Sequence, residues 1–173
     1  MRVQSIIDDM NRGIIKKTWM EIEERVKHIS KQILERGFKP DCIVGIARGG
    51  LVPAVMLAYK LECRMLGFIQ FQRTKDEKPF SLFNNSNLLY SVGLPRTSIK
   101  RVLLVDDIIV KGIIFKDAIA IIQHEYGPIE ILGAFLYKVN NSGGENIETH
   151  SYIFSEAING NDWIVYPWEQ DPI

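Results

Sequence analysis

Short apolar runs alternate with amphipathic stretches along most of this chain. The runs Cys42–Ile46 and 102–105 contain no alternation of polar and apolar residues, which is typical of strands buried on both faces of a sheet. Further strands are predicted at Cys63–Gln72, Ile129–Tyr137 and Tyr152–Phe154. Each run is short enough for a strand and is bounded by glycine, proline or polar residues.

Segments with helical periodicity lie between several of these strands. Apolar residues recur three or four positions apart from Trp19 to Ile33, behind a capping-box pair of Thr18 and Glu21, and predict a helix over residues 19–36. Gly37 ends this helix. Further helices are predicted at Leu51–Tyr59 and from about Ile113 to Tyr126.

This alternation predicts an α/β fold, namely one domain over residues 1–173 with a mainly parallel, twisted sheet and helices on both faces. Residues 73–99 form a polar excursion with one or two short strands at most, and such a length suits a mobile loop that closes over a site. We expect the C-terminal region, from about residue 138 to 173, to form a small hood.

Composition narrows the function classes. The chain has 21 basic and 21 acidic residues, and this zero net charge argues against a strongly basic nucleic-acid-binding surface. No apolar stretch is long enough for a signal or membrane segment, and a cytosolic protein is expected. Cys42 and Cys63 show no zinc-ligand spacing with the three histidines, so we expect buried free thiols.

Two strand–loop–helix junctions carry residues that could bind a ligand or take part in catalysis. Asp106 and Asp107 follow the 102–105 run, and carboxylates at the C-terminal end of a parallel strand lie where open α/β sheets bind ligands. Arg48, Gly49 and Gly50 follow the Cys42–Ile46 run and precede a helix. Glycines let the backbone approach an anion and arginine adds donors, although a tight turn with a surface arginine explains this segment alone equally well.

Three motifs together resemble those of a known family. Residues 101–112 resemble the diphosphate-sugar motif of type I phosphoribosyltransferases, in which a hydrophobic strand runs into two aspartates. The string Arg48–Pro53 resembles the pyrophosphate loop of the bacterial xanthine–guanine and hypoxanthine enzymes of that family. Residues 163–169 resemble the C-terminal Trp-Ile-x-x-Pro-Trp-(Asp/Glu) string of the same 6-oxopurine branch.

The resemblance implies a specific reaction and specific partners. The reaction is transfer of a 5-phosphoribosyl group from 5-phosphoribosyl-1-diphosphate (PRPP) to a 6-oxopurine base, with release of pyrophosphate and with Mg²⁺ as cofactor. Asp106 and Asp107 would hold the ribose hydroxyls and the metal, directly or through water. Arg48 and the amides of Gly49 and Gly50 would hold pyrophosphate. The resemblance also implies a homo-oligomer, with dimer and tetramer both open.

The base would be recognised by residues nearer the C-terminus. In the family, a tryptophan stacks on the purine, the next residue contributes main-chain contacts, and a lysine donates to the purine O6. By position these are Trp163, Ile164 and Lys138. The alternative roles are structural. The aromatic residues and proline of the tryptophan string would only hold the C-terminal segment in place, and the lysine side chain would be solvated.

The phosphate loop departs from the family pattern. Val110 stands where the family has a third acid, Lys111 where it has a hydroxyl residue, and Ile114 where it has the last hydroxyl, while Gly112 is retained. Lys111 and Gly112 are therefore the expected 5′-phosphate contacts, and slow turnover is expected. The alternatives are a nucleotide-binding regulatory protein that has lost catalysis, and a structural subunit that pairs with an active paralogue.

Overall fold

The computed structural model describes residues 13–72, 87–92, 99–140, 152–160 and 162–169, with only the backbone described for 72 and 87–92. Eight strands and three helices occur in these ranges. In chain order they are β1 (Ile14–Lys16), α1 (Trp19–Glu35), β2 (Cys42–Ala47), α2 (Leu51–Lys60), β3 (Leu66–Gln72), β4 (Asn87–Val92), β5 (Arg101–Ile109), α3 (Ile113–Tyr126), β6 (Glu130–Val139), β7 (Tyr152–Ile158) and β8 (Trp163–Val165).

Six strands form the main sheet in the order β4-β3-β2-β5-β6-β7. Every neighbouring pair is parallel except β3 with β4, which is antiparallel. Strand β5 is central and pairs with β2 on one side and β6 on the other. The predicted α/β fold with a mainly parallel sheet is confirmed.

The sheet is covered by helices on both faces. Along β5, Leu103 and Val105 pack in the cluster that contains α1 and α2 residues, whereas Val102 and Leu104 pack in the cluster that contains α3 residues. All four are at most 1% exposed. This two-sided burial is why the run 102–105 has no polar alternation.

Several predicted boundaries were wrong. The strand predicted at Cys63–Gln72 begins at Leu66, because residues 61–63 still close the end of α2: the Leu61 N–H donates to the Leu57 carbonyl and the Cys63 N–H to the Ala58 carbonyl. The predicted strand at Tyr152–Phe154 continues to Ile158, and β6 ends at Val139.

A second, two-stranded parallel sheet joins both ends of the described chain. Ile14, Ile15 and Lys16 of β1 pair with Trp163, Ile164 and Val165 of β8, a pairing absent from the sequence predictions. Strand β8, which lies in the range predicted for the hood, is thus paired with an N-terminal strand. Strand β7, which lies in the range predicted for the hood, pairs with β6 in the main sheet.

The structure also bears on the predictions for the cysteines, for membrane segments and for the 73–99 loop. Both cysteines are free thiols; Cys42 is buried and Cys63 is half-buried. Burial raises the pKa of Cys42 to about 11, which makes it an unreactive thiol at neutral pH. No helix in the described part of the chain is long and apolar enough to cross a membrane. Most of the predicted 73–99 loop lies outside the described residues, apart from β4 and Ile99.

Candidate active site

The two predicted ligand loops meet at one edge of the sheet. Pairing of β2 with β5 ends at Gly45 and Val105, whereas pairing of β5 with β6 continues to Ile109 and Lys138. Asp106 and Asp107 therefore stand beyond the last β2 pair, on the side where the chain leaves β2. We predicted that they follow the strand; instead they lie within β5, because β6 keeps that strand paired for four more residues.

Glycines bring the β2 loop against the aspartates. A Cβ atom added at Gly49 would collide with the Asp107 carboxylate, and one added at Gly50 would lie 2.9 Å from the Asp106 Cα atom and also collide with the Val105 carbonyl oxygen. Neither glycine has a positive φ. These positions therefore require glycine because of the close approach of the two loops.

Both carboxylates of the pair are buried. Asp106 is 4% and Asp107 is 5% exposed, and the Asp107 N–H donates to Asp106 Oδ1 at 2.9 Å. Buried charges in proteins are paired or coordinate metals. Carboxylate oxygens suit Mg²⁺, which is usually held by one or two carboxylates together with substrate phosphates. Among the described residues no cluster of three or more His, Cys, Asp or Glu could hold a metal ion.

The loop after β2 closes on itself. The Gly50 N–H donates to the Ile46 carbonyl at 2.9 Å, and the Leu51 N–H to the Arg48 carbonyl at 3.1 Å. The peptide bond between Ala47 and Arg48 is cis, and the Arg48 side chain is exposed. The predicted use of the Gly50 amide for pyrophosphate is not available in this structure, since that N–H closes the turn. Arg48 and Gly49 keep their predicted positions.

Lys111 and Gly112 form the turn that follows β5. Gly112 has φ 73°, a left-handed conformation that glycine adopts without strain, and it precedes α3. Its carbonyl accepts a hydrogen bond from the Lys116 N–H at 3.0 Å. Val110 is 43% exposed and Lys111 is half-buried. This turn lies at the same sheet edge as the aspartate pair.

Lys138 lies near the end of β6, opposite Ile109 of β5. Its ammonium nitrogen is 5.5 Å from the ring centroid of Tyr152 and 5.3 Å from that of Phe154. The side chain is half-buried. Attraction to the two rings holds the charged group over β7, because Tyr152 and Phe154 both belong to that strand.

Trp163 and Ile164 lie in β8. The Trp163 N–H donates to the Gly13 carbonyl at 2.8 Å, and the Lys17 N–H donates to the Val165 carbonyl at 2.9 Å. Since alternate residues of a strand direct their main-chain groups to opposite sides, those of Ile164 point away from β1. The Ile164 side chain is 6% exposed, and Trp163 is half-buried. The Ile164 side chain is thus buried, while its main-chain N–H and C=O groups are directed away from β1.

Sequence reasoning missed a further residue beside the aspartates. Tyr166 is 3% exposed and belongs to the same cluster as Val105. Burial raises the pKa of Tyr166 well above its usual value, and the negative charges of Asp107 and Asp106 raise it further. The residue falls at an unspecified position of the C-terminal string, so the string gave no signal for it.

Comparisons with known proteins agree with this geometry. The Phosphoribosyl transferase domain matches residues 17–171. Xanthine-guanine phosphoribosyltransferase of Nitratidesulfovibrio vulgaris (strain DP4) is 26% identical over 164 residues, which cover 94% of this chain and 89% of that protein.

Solved structures give the same result. Purine phosphoribosyltransferase from Pyrococcus horikoshii has a TM-score of 0.66 at 26% identity, covering 92% of this chain and 96% of its own. Helicobacter pylori xanthine-guanine-hypoxanthine phosphoribosyltransferase has a TM-score of 0.72 at 16% identity, covering 91% and 95%, and shows the shared fold. The domain match, which spans nearly the whole chain, shows that this protein belongs to the phosphoribosyltransferase family.

Proposed function

We propose that this phosphoribosyltransferase transfers the 5-phosphoribosyl group of PRPP to N9 of a 6-oxopurine and releases pyrophosphate. One observation carries the proposal: the glycine loop after β2 packs directly on the Asp107 carboxylate. That contact creates one site with an anion-binding loop and a carboxylate pair, as a diphosphate sugar requires. The similarity to a xanthine-guanine enzyme supports a 6-oxopurine as acceptor.

The diphosphate end of the sugar would bind between the two loops. The exposed guanidinium of Arg48 and the Gly49 backbone would contact the pyrophosphate, because a guanidinium donates in a fork that matches phosphate oxygens. Asp106 and Asp107 would accept hydrogen bonds from the ribose hydroxyls. When bound to this carboxylate pair, Mg²⁺ would screen the charge that develops on the leaving pyrophosphate.

The base would be held from the other side of the sugar. Ile164 would offer main-chain groups to the edge of the purine, since these point away from β1 while its side chain stays in the core. Trp163 would stack on the ring, and the Lys138 ammonium would donate to O6. These roles require Trp163 and Lys138 to reach one pocket.

The 5′-phosphate would bind at the turn before α3. Gly112 forms this turn, and Lys111 supplies a positive charge in place of the hydroxyl groups of the family pattern. Val110 can neither accept nor donate a proton. Positioned acid–base groups contribute about 10²–10⁴ in rate. We therefore propose that turnover is slow because no acid–base group is present at position 110.

The test is release of pyrophosphate from PRPP with Mg²⁺ and guanine, hypoxanthine or xanthine, with adenine as the control base. We expect turnover with at least one of the three 6-oxopurines and none with adenine, which has no O6 acceptor for Lys138. Transfer to adenine alone would contradict the proposed base class. Tight binding of a purine nucleotide with no turnover would instead support a regulatory protein.

A further inference from the structure

A buried phenol hydroxyl beside the aspartate pair has no hydrogen-bond partner in the described structure. Tyr166 is 3% exposed, and among the described residues no donor or acceptor lies within hydrogen-bonding reach of its hydroxyl oxygen. An unsatisfied polar group in a protein interior is unfavourable, and buried tyrosine hydroxyls usually find a partner. A persistent orphan of this kind needs an explanation.

The Tyr166 ring is held in a fixed position. It stacks on Trp168, with centroids 4.7 Å apart and planes inclined by 6°, and its centroid is 6.1 Å from that of Tyr137. A tight turn fixes its backbone as well: the Tyr166 N–H donates to Glu169 Oε2, and the Glu169 N–H donates to the Tyr166 carbonyl, both at 3.0 Å. The hydroxyl is therefore positioned by rigid surroundings.

The charged groups that act on Tyr166 most strongly are those of the candidate active site. Asp107 has the largest influence among these charges, followed by Asp106, and the effects of Tyr137 and Glu169 are smaller. The acidic groups around this phenol can accept a hydrogen bond. A hydroxyl that donates to a carboxylate forms one of the stronger hydrogen bonds in proteins.

We propose that Tyr166 is a positioning residue, whose hydroxyl donates a hydrogen bond to the Asp107 carboxylate when the metal-bound diphosphate sugar occupies the site. Resting on the proposed function, this inference deepens it by adding a residue from an unspecified position of the C-terminal motif. Asp107 packs against the Gly49 backbone, and its charge acts on the buried Tyr166 phenol more strongly than that of any other group. The hydroxyl fixes the carboxylate orientation in which its oxygens face the ribose hydroxyls.

The variant Tyr166→Phe tests this role because it removes the hydroxyl and keeps the ring stack on Trp168. Hydrogen bonds to charged groups have net effects that correspond to about a tenfold to hundredfold change in an equilibrium constant. We expect the KM for PRPP and its calorimetric Kd in the presence of Mg²⁺ to rise by roughly tenfold or more. The KM for the purine should change little, and the unfolding temperature should not fall, since the hydroxyl has no partner in the ligand-free fold.

Tyr137→Phe is the matched control. Tyr137 is another buried phenol of the same cluster, but burial raises its pKa to about 12 and the charges acting on it are those of Arg25, Glu156 and Glu21. Its replacement should leave the affinity for PRPP unchanged. Any loss that both variants share reports packing of the cluster rather than Tyr166 alone.

The outcomes separate this inference from the proposed function. Equal PRPP affinities in wild type and Tyr166→Phe would overturn the inference, as would a fall in unfolding temperature with equal losses for sugar and purine. Wild-type protein that binds PRPP without turnover would contradict the proposed function, while calorimetry would still decide the role of Tyr166. Wild-type protein that neither binds nor turns over PRPP would overturn both.

Discussion

At the residue scale, the candidate site depends on two glycines without side chains as well as on the two aspartates. Gly49 and Gly50 lack the Cβ atoms that would collide with Asp107 and with the β5 backbone. That space lets a polypeptide backbone approach two buried carboxylates. The proposed diphosphate site needs both surfaces within reach, so we expect the glycines to determine whether the two loops act as one site.

Gly49→Ala should impair the site and spare the fold. The added methyl group would meet the end of the Asp107 side chain, which can rotate away at little cost in stability but then leaves its position. A misplacement of about 1 Å can cost about 10² in rate. We expect turnover to fall by about this factor, with an unfolding temperature within roughly 4 °C of wild type.

Gly160→Ala is the control for this change, because the nearest heavy atom to an added Cβ there is the Asn140 carbonyl oxygen at 3.3 Å. Its turnover should equal that of wild type. If Gly49→Ala retained full turnover, the close contact between the two loops would have no role in the reaction.

Trp163→Ala should weaken binding of the purine. Stacking of an aromatic side chain on a base is worth roughly 1–3 kcal/mol in nucleic-acid binders. We expect the Kd of a purine nucleotide to rise several-fold or more, measured by calorimetry, while Trp163→Phe retains most of the affinity. A drop in stability with unchanged nucleotide affinity would show instead that Trp163 only ties β8 to the core.

At the element scale, periodicity predicted most helices and strands but not their ends. The helix predicted over residues 19–36 begins at Trp19 behind its capping box and ends at Glu35. By contrast, nothing in the run 102–105 shows that β5 extends past two aspartates to Ile109, because that extension depends on pairing with a distant strand. The pairing of β1 with β8 is likewise a tertiary contact between the two ends of the described chain.

The site was predictable where a motif carries it. The aspartate pair, the arginine–glycine loop and the phosphoribosyltransferase family came from the sequence, and the family assignment is confirmed. Two details of the site could be found only from the three-dimensional structure. The Gly50 amide is used within its own turn, and Tyr166 packs in the same apolar cluster as Val105, the residue before the aspartates.

The turn after β5 provides the prediction at this scale. The triple variant Val110→Asp, Lys111→Thr and Ile114→Thr restores the acid and both hydroxyls of the family pattern. Val110 is 43% exposed, so an aspartate there is not forced into the core. We expect turnover to rise by a factor within about 10²–10⁴, measured with saturating PRPP and purine.

The three single variants are the controls for the triple variant. Groups that act as a unit are strongly non-additive, so each single change should have little effect. No gain in the triple variant, with intact binding of PRPP, would show that the turn does not limit the rate.

At the scale of the whole molecule, the sheet topology explains why the site lies where it does. Strands β2 and β5 are adjacent and parallel, so their C-terminal ends meet at one edge, where open α/β sheets bind ligands. The two faces of the sheet are filled by separate apolar clusters. The sheet thus holds the carboxylate pair and the glycine loop after β2 close together.

The assignment of the aspartate pair can be tested by comparing pyrophosphate release by wild type and Asp106→Asn. Glu35→Gln, which also removes one negative charge but lies on the exposed surface beside Lys31, is the matched control. We expect turnover of a 6-oxopurine by wild type and the control, and a loss of about 10² or more in Asp106→Asn, because its amide is a poorer ligand for the metal and the ribose hydroxyls. Equal turnover by all three proteins would contradict the assignment of the aspartate pair as the catalytic site.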